Sequence, residues 1–183
     1  MEKREYRETI LEKLSLKPEQ ILSHEYDDLI KERLSKVVLT EWPIIDHLLF
    51  KRVLNSLGLE KLGSRLEPYF ISLADSANII YKTEMDMKVY YPDCKSRCDF
   101  FRPCDDVLRY SYQIPPIEGV NCIVYILKQS MKSLYKTELL NLFAKEFGYE
   151  RKGNQVIKFF ESSRVMAKSR NAIKESGNHK IML

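Results

Sequence analysis

The side chains able to do chemistry in this 183-residue sequence are mostly isolated from one another. His24, His47 and His179 have no metal-ligand spacing to one another or to acidic pairs. The doubled aspartates Asp27–Asp28 and Asp105–Asp106 are typical of solvated turns. The sequence has no G-x-S-x-G nucleophile elbow and no G-x-x-x-x-G-K-[ST] phosphate loop. We therefore expect no catalytic residues, no enzymatic activity and no cofactor.

The cysteines are the next candidates for chemistry. Three of them crowd together as Cys94-x3-Cys98-x5-Cys104, and Cys122 lies in an apolar helical pattern. A zinc site prefers a C-x2–4-C knuckle paired with a second knuckle or a histidine pair, and the sequence has no such partner. The spacing favours reduced thiols in a linker over a metal site.

A third group of side chains suits binding to nucleic acid. Amide side chains can hydrogen-bond adenine edges, and lysine and arginine can contact guanine or phosphate. The alternative for each lysine taken alone is an ordinary solvated charge. The predicted nucleic-acid-binding residues are Lys152, Asn154, Gln155, Lys158, Ser162, Arg164, Arg170, Lys174 and Lys180.

The charge distribution along the chain supports a binding role for these residues. Residues 126–183 carry 12 basic and 5 acidic side chains, a net charge of +7. The rest of the chain carries 18 and 21, a net charge of −3. Such asymmetry marks either a polyanion-binding face or a solvated tail. Because these basic residues lie in a patterned, aromatic-containing segment, the binding face is favoured.

An internal repeat must position these residues. Residues 57–70 and 147–160 keep both glycines, a glutamate, the basic residue after it and a closing aromatic pair in register at an offset of 90. Each copy reads as an amphipathic helix, a glycine stop, a short polar link and a second helix. We interpret this as a duplicated helix-turn-helix.

The flanking patterns extend each copy. Asp46, Thr137 and Asn154 are the predicted N-caps of helices, and Ser64-Arg65-Leu66-Glu67 is a predicted capping box. Two β-prone runs follow the third helix of the first copy, and a turn through Glu175-Ser176-Gly177-Asn178 ends the second. Three helices followed by a hairpin predict a winged helix.

The sequence thus predicts a mainly α-helical protein with small β-hairpins, arranged as a tandem winged helix-turn-helix. The predicted segments are an N-terminal helical extension at 1–28, a first winged-helix unit at 29–91, a linker containing cysteine and proline at 92–115, and a second winged-helix unit at 116–183. Phe100-Phe101 interrupts the linker, so we expect the linker to pack on a domain.

Several of these residues resemble a known family. Glu41-Trp42-Pro43-Ile44, Arg52 and residues 58–65 resemble the signature E-x-P-I … R … G-x-x-R-x-G-x-R-I, and residues 114–117 and 147–153 resemble its second half. That signature belongs to a C-terminal domain of unknown function. The domain lies at the C-terminus of large superfamily-one helicase proteins that often also carry a Vsr-like nuclease domain.

The resemblance covers about residues 30–183, and it implies an accessory module for DNA repair or phage defence. A helicase or nuclease, in cis or in trans, is the implied protein partner. Lys61 departs from the family, which usually has arginine there, and the motor motifs are missing. We expect either an excised module or a stand-alone protein with its fold.

Three functions remain open from the sequence. The first is binding to nucleic acid, with duplex DNA as the expected ligand. The second is a protein–protein interaction module, which suits the first copy because its third helix carries Glu67 and Pro68. The third is a transcription regulator dimerised by its N-terminal helices. No apolar run approaches the ~18 residues of a membrane span, so we expect a cytoplasmic protein without membrane contact.

Overall fold

The chain folds into two compact units in a computed structural model that describes residues 1–104, 109–177 and 179–183. The first unit is Arg7–Ser96, and the second unit combines Met1–Tyr6 with Arg97–Leu183. The predicted Asp105–Asp106 pair and Asn178 of the predicted turn lie outside the described residues.

The second unit begins with strand β1 (Glu2–Lys3), and the first unit follows it along the chain. The elements of the first unit are α1 (Pro18–Ile21), α2 (Asp27–Glu41), β2 (Ile44–Ile45), α3 (Asp46–Ser56), α4 (Leu66–Ser76), β3 (Ile80–Glu84) and β4 (Met87–Tyr91). Its three strands form an antiparallel sheet in the order β2-β4-β3.

The second unit continues with β5 (Phe100–Phe101), α5 (Pro116–Ser130), β6 (Leu134–Tyr135), α6 (Lys136–Glu146), α7 (Asn154–Ser169), β7 (Lys174–Glu175) and β8 (Lys180–Met182). A 3-10 helix, Ser111–Gln113, precedes α5. The strands form an antiparallel sheet in the order β6-β8-β7 and a separate parallel pair, β1-β5.

The two units repeat one order of elements: helix, strand, helix, helix, strand, strand. The offset of 90 residues maps both ends of β2 onto β6 and both ends of α3 onto α6. Gly58 and Gly148 follow the ends of α3 and α6 with φ of 88° and 78°, a backbone conformation that favours glycine. The predicted equivalence of these two glycines is therefore confirmed, as is the mainly helical composition with small hairpins.

The predicted caps are wrong, for a local reason. Strands β2 and β6 run directly into α3 and α6, so Ile45 and Tyr135 are the N-caps, with extended backbones and no side-chain bond. Asp46 and Thr137 therefore lie inside the helices, as Asn154 does after the N-cap Gly153. The predicted capping box at Ser64–Glu67 is not formed either, because α4 begins after Arg65 without a side-chain cap.

The N-terminal helices predicted within residues 1–28 are also largely wrong. Residues 1–17 contain no helix, and α1 has only 4 residues. The backbone N–H groups of Leu14 and Leu16 donate to the carbonyls of Ser56 and Leu57, at 2.8 and 2.9 Å, where α3 ends. An extended segment satisfies these helix-end carbonyls, whereas a helix would bond only within itself. Ile10, an apolar residue of this segment, is 88% exposed.

Close packing of α5 against α7 organises the second unit. Gly119 of α5 faces the fully buried Ser163 of α7, and a Cβ added at Gly119 would overlap that side chain. Phe143, Phe147 and Phe160 fill the core beside this contact. Among the helices of the described residues, none combines the length and hydropathy that a membrane span requires.

Candidate nucleic-acid interface

Helix α7 of the second unit carries most of the predicted binding residues. It buries Val156, Phe159 and Phe160 in the core, which turns the first residues of its opposite side towards solvent. Asn154, Gln155 and Lys158 are all exposed. Their side chains make no hydrogen bond or ion pair with any part of the chain that the structure describes. This N-terminal part of α7 therefore presents two amides and one cation that are available to a ligand.

The turn between α6 and α7 carries two cations and one exposed carboxylate. Lys152 is exposed, and its Nζ donates a hydrogen bond to Asn141 Oδ1 on α6. Arg151 beside it is also exposed. Gly153 is extended at φ −68° and ψ 167°, so the chain leaves the basic turn and enters α7 at once. Lys152 therefore stands next to Asn154 at the start of the helix.

Arg164 differs from the prediction that it faces outward to contact a base or phosphate. Its side chain is only 17% exposed and lies in an ion-pair network. The guanidinium pairs with Glu175 of β7, and its Nη2 lies 2.9 Å from Glu161 Oε2. Lys136 pairs with Glu161 at 2.8 Å and Lys168 with Glu175 at 3.1 Å. Arg164 thus holds α7 to the C-terminal hairpin, β7–β8.

The titration of this network follows from its pairing. Burial raises the pKa of Glu161, but Lys136 and Arg164 outweigh burial and lower it. Burial likewise raises the pKa of Glu175, and Arg164 and Lys168 outweigh it. Burial lowers the pKa of Arg164, whereas its two carboxylate partners raise it, and the partners prevail. Glu161, Glu175 and Arg164 are therefore charged at neutral pH.

The remaining predicted residues lie towards the C-terminal hairpin. Arg170 and Lys174 are exposed and have no ion-pair partner within the described residues. Lys180 is half-buried, with its Nζ 5.0 Å from the centre of the Tyr135 ring. Ser162 is half-buried on α7. A polar cavity of about 220 Å³ beside the hairpin is lined by Lys136, Arg164, Glu175, Ser176, His179 and Ile181.

Six of the nine predicted residues therefore lie in two separate groups. Helix α7 has 16 residues, which at 1.5 Å per residue separates its ends by about 24 Å. Lys152, Asn154, Gln155 and Lys158 lie at one end, while Arg170 and Lys174 lie beyond the other. The ion-pair network occupies the stretch between them.

The chain matches no protein-family model, no curated protein and no solved structure. Its similarity to the helicase-associated domain stays an expectation from short motifs.

Among the described residues, no three histidine, cysteine or acidic side chains are placed to hold a metal ion. None of the four cysteines there forms a disulfide. Cys98 Sγ donates to the carbonyl of Phe100 at 3.2 Å, and Cys104 Sγ donates to that of Arg109 at 3.4 Å. The two thiols thus take part in packing the segment before α5.

A buried charge cluster in the second unit has no signal in the sequence. Glu118 of α5 is fully buried and bonds Arg102 and Arg109, with Oε1 at 2.6 and 2.9 Å from their nearest nitrogens. The ring of Tyr6 lies 5.0 and 4.2 Å from the two guanidinium carbons. The segment predicted as a linker is therefore fixed to α5. No sequence spacing links these residues, because their contacts depend on the tertiary fold.

The first unit presents a different kind of surface. A largely apolar groove of about 450 Å³ lies between α1 and the turn before α4. Leu22, Leu59 and Leu66 line it, and Lys61 and Arg65 stand at its edge. No comparable row of amide and basic side chains opens α4, which begins with Leu66-Glu67-Pro68.

Proposed function

We propose that the second unit is a winged-helix module that binds nucleic acid, with duplex DNA as its ligand. Its order of elements, α5-β6-α6-α7-β7-β8, supports this proposal because it is the order of a winged helix. In that arrangement α7 enters the major groove, and the hairpin β7–β8 contacts the phosphate backbone.

The observation that carries the proposal is the chemistry at the start of α7. Asn154, Gln155 and Lys158 are exposed together without an acidic partner among the described residues. An amide can form two hydrogen bonds with adenine, and lysine can contact guanine or phosphate. Lys152 adds a cation at the preceding turn. Such a combination suits recognition of a base edge beside a phosphate.

The charges of the two units support the same conclusion. The second unit contains 17 basic and 11 acidic residues, a net charge of +6. The first unit contains 13 and 15, a net charge of −2. Electrostatic attraction to a polyanion therefore falls mainly on the second unit.

The test is the salt dependence of binding to a fluorescent duplex. Each phosphate contact lowers the slope of log K against log salt by about 0.9, so several contacts give a steep negative slope. Lys158→Ala should weaken binding and make the slope shallower by about 0.9. Lys36→Ala, at an exposed position of the first unit, is the matched control and should change neither value. A wild-type protein without salt-dependent DNA binding would reject the proposal.

A protein–protein interaction module is the second candidate function, and the apolar groove of the first unit favours it. Leu22, Leu59 and Leu66 are three aliphatic side chains around one concave surface. The implied partner is the helicase or nuclease of a repair or phage-defence system, for which this chain would be the accessory domain. Leu59→Asp should then abolish co-purification with that partner while leaving DNA binding intact.

The dimeric transcription regulator is the weakest of the three functions. This hypothesis requires N-terminal helices that form the dimer interface, but residues 1–17 are not helical. Light scattering at micromolar concentration tests it directly, because a stable dimer would revive this alternative.

A further inference from the structure

Two exposed tyrosines of the second unit stack on each other. The rings of Tyr110 and Tyr112 are 5.4 Å apart between centroids and only 4° from parallel. Tyr110 is 54% exposed and Tyr112 is 51% exposed. We propose that this pair is a platform on which an unpaired nucleobase stacks. The inference rests on the proposed function and specifies its ligand as DNA that joins a duplex to a single strand.

The backbone beneath the two rings is held in place by its own hydrogen bonds. Gln113 Oε1 accepts from the Tyr110 backbone N–H at 3.0 Å, and the Gln113 N–H donates to the Tyr110 carbonyl at 2.7 Å. Arg109, the residue before the pair, is buried and bonded to Glu118. Ser111, between the two tyrosines, is also buried. The rings therefore stand on an ordered support, which reduces the entropy lost on binding.

The platform lies beside the positively charged turn that leads into α7. Tyr149 Oη donates a hydrogen bond of 2.9 Å to the carbonyl of Arg109, next to Tyr110. Arg151 and Lys152 follow Tyr149 in that turn, and the 3-10 helix that contains Tyr112 contacts α7. Aromatic rings next to cations are the usual means of holding a single strand, because the bases stack and the phosphates are neutralised.

The charge beside the platform favours nucleic acid over a peptide. A proline-rich peptide can also lie on paired tyrosines, but it gains nothing from Arg151 and Lys152, which follow Tyr149 and form no ion pair in the described residues. In a strand with an unpaired base, the base can stack on the rings and the phosphates can contact the cations. Within a duplex each base is already stacked on its neighbours, so only an unpaired base offers a free face.

The experiment compares a blunt duplex with the same duplex bearing a short single-stranded overhang labelled with 2-aminopurine. Tyr110→Leu/Tyr112→Leu should weaken binding to the overhang substrate by about 5- to 150-fold, the loss expected for one base–aromatic stack. Its affinity for the blunt duplex should stay within about twofold of wild type. Tyr110→Phe/Tyr112→Phe keeps both rings and should retain affinity and the quenching of 2-aminopurine.

Tyr81→Ala is the matched control, since Tyr81 is an exposed tyrosine of the first unit and should have no effect. Circular dichroism checks that each variant is folded. The inference fails if the double leucine variant binds both substrates like wild type or loses both equally. It also fails if that variant loses only a proline-rich peptide. If Lys158→Ala still flattens the salt slope, only the platform is wrong, whereas a wild-type protein that binds no DNA overturns both proposals.

Discussion

Arg164 of α7 forms an ion pair with Glu175 of the C-terminal hairpin, and this contact changes the role of both residues. The sequence predicts Arg164 as a nucleic-acid contact, but its guanidinium is already bonded to two carboxylates. In the proposed binding mode those carboxylates, Glu161 and Glu175, would compete with phosphate for Arg164, Lys136 and Lys168.

Glu175→Gln should therefore strengthen DNA binding. The substitution removes a negative charge from the face and releases Arg164 and Lys168 to contact phosphate. Each cation that then contacts phosphate should steepen the slope of log K against log salt by about 0.9. Fluorescence anisotropy at several salt concentrations measures both effects.

The control for this prediction is Glu138→Gln, which removes the same charge from an exposed position of α6 without breaking an ion pair among the described residues. It should raise affinity less and leave the slope unchanged. Equal effects of the two variants would mean that released cations play no part. Glu175→Gln should also lose about 1 kcal/mol or less of stability, because the ion pair is partly exposed.

Glu118 should control the acid stability of the second unit. Burial raises its pKa, but Arg102 and Arg109 outweigh burial and lower the pKa to about 2 from 4.5. Because folding lowers this pKa, the carboxylate stabilises the fold fully above pH 4.5, and the stabilisation disappears as the pH falls towards 2. Urea unfolding of the wild type between these pH values should show the loss.

Glu118→Gln should cost about 3–5 kcal/mol at pH 7, because it leaves two buried guanidinium groups without their carboxylate. The residual stability should depend less on pH between 4.5 and 2 than that of the wild type. Glu138→Gln serves again as the exposed control and should change stability little. If both variants unfold at the same urea concentration, the buried cluster does not stabilise the unit.

The helical framework could be predicted from the sequence because its signals are local. Periodic apolar residues and the glycine stops indicate α3, α6 and α7, and the β-prone runs indicate the hairpins. The N-terminal segment could not be predicted, because its helical spacing is overridden by hydrogen bonds to Ser56 and Leu57, about 40 residues away. Local propensity decides an element only where no distant partner competes.

The same distinction separates the parts of the candidate site. The exposure of Asn154, Gln155 and Lys158 follows from the apolar stripe on the other side of α7. The pairing of Arg164 with Glu175 joins a helix to a hairpin and depends on how the hairpin turns back. The stacking of Tyr110 on Tyr112 depends on a 3-10 helix whose sequence has no periodic signal.

The four repeated glycines should respond differently to alanine. Gly58 and Gly148 have positive φ, so alanine at either should cost about 1 kcal/mol or more. Gly58→Ala has a second, steric cost, because its Cβ would lie 2.7 Å from the carbonyl oxygen of Leu14. Gly63 and Gly153 have no atom within 4 Å of an added Cβ. Alanine at Gly63 should therefore be neutral or slightly stabilising, whereas alanine at Gly153, the N-cap of α7, should cost about 0.5–1 kcal/mol because glycine is the better N-cap. Urea unfolding of the four variants gives the comparison.

The last prediction is that the two units contribute unequally to DNA binding. The second unit has a net charge of +6 (17 basic and 11 acidic residues) and the first −2 (13 and 15). Lys158→Ala and Lys174→Ala should each weaken binding and flatten the salt slope by about 0.9, because both lysines are exposed without an acidic partner in the described residues. Anisotropy titrations at several salt concentrations measure the slopes.

Arg65→Ala in the first unit is the matched comparison and should do much less. Arg65 is also exposed, but Glu67 lies two residues away and offsets its field, while Pro68 supplies no N–H donor at the start of α4. A larger effect of Arg65→Ala than of Lys158→Ala would place the contact on the first unit. If none of the three variants changes the slope, the positive charge of the second unit is only a solvated surface. The apolar groove beside Leu59 and Leu66 would then be the better candidate for a functional surface.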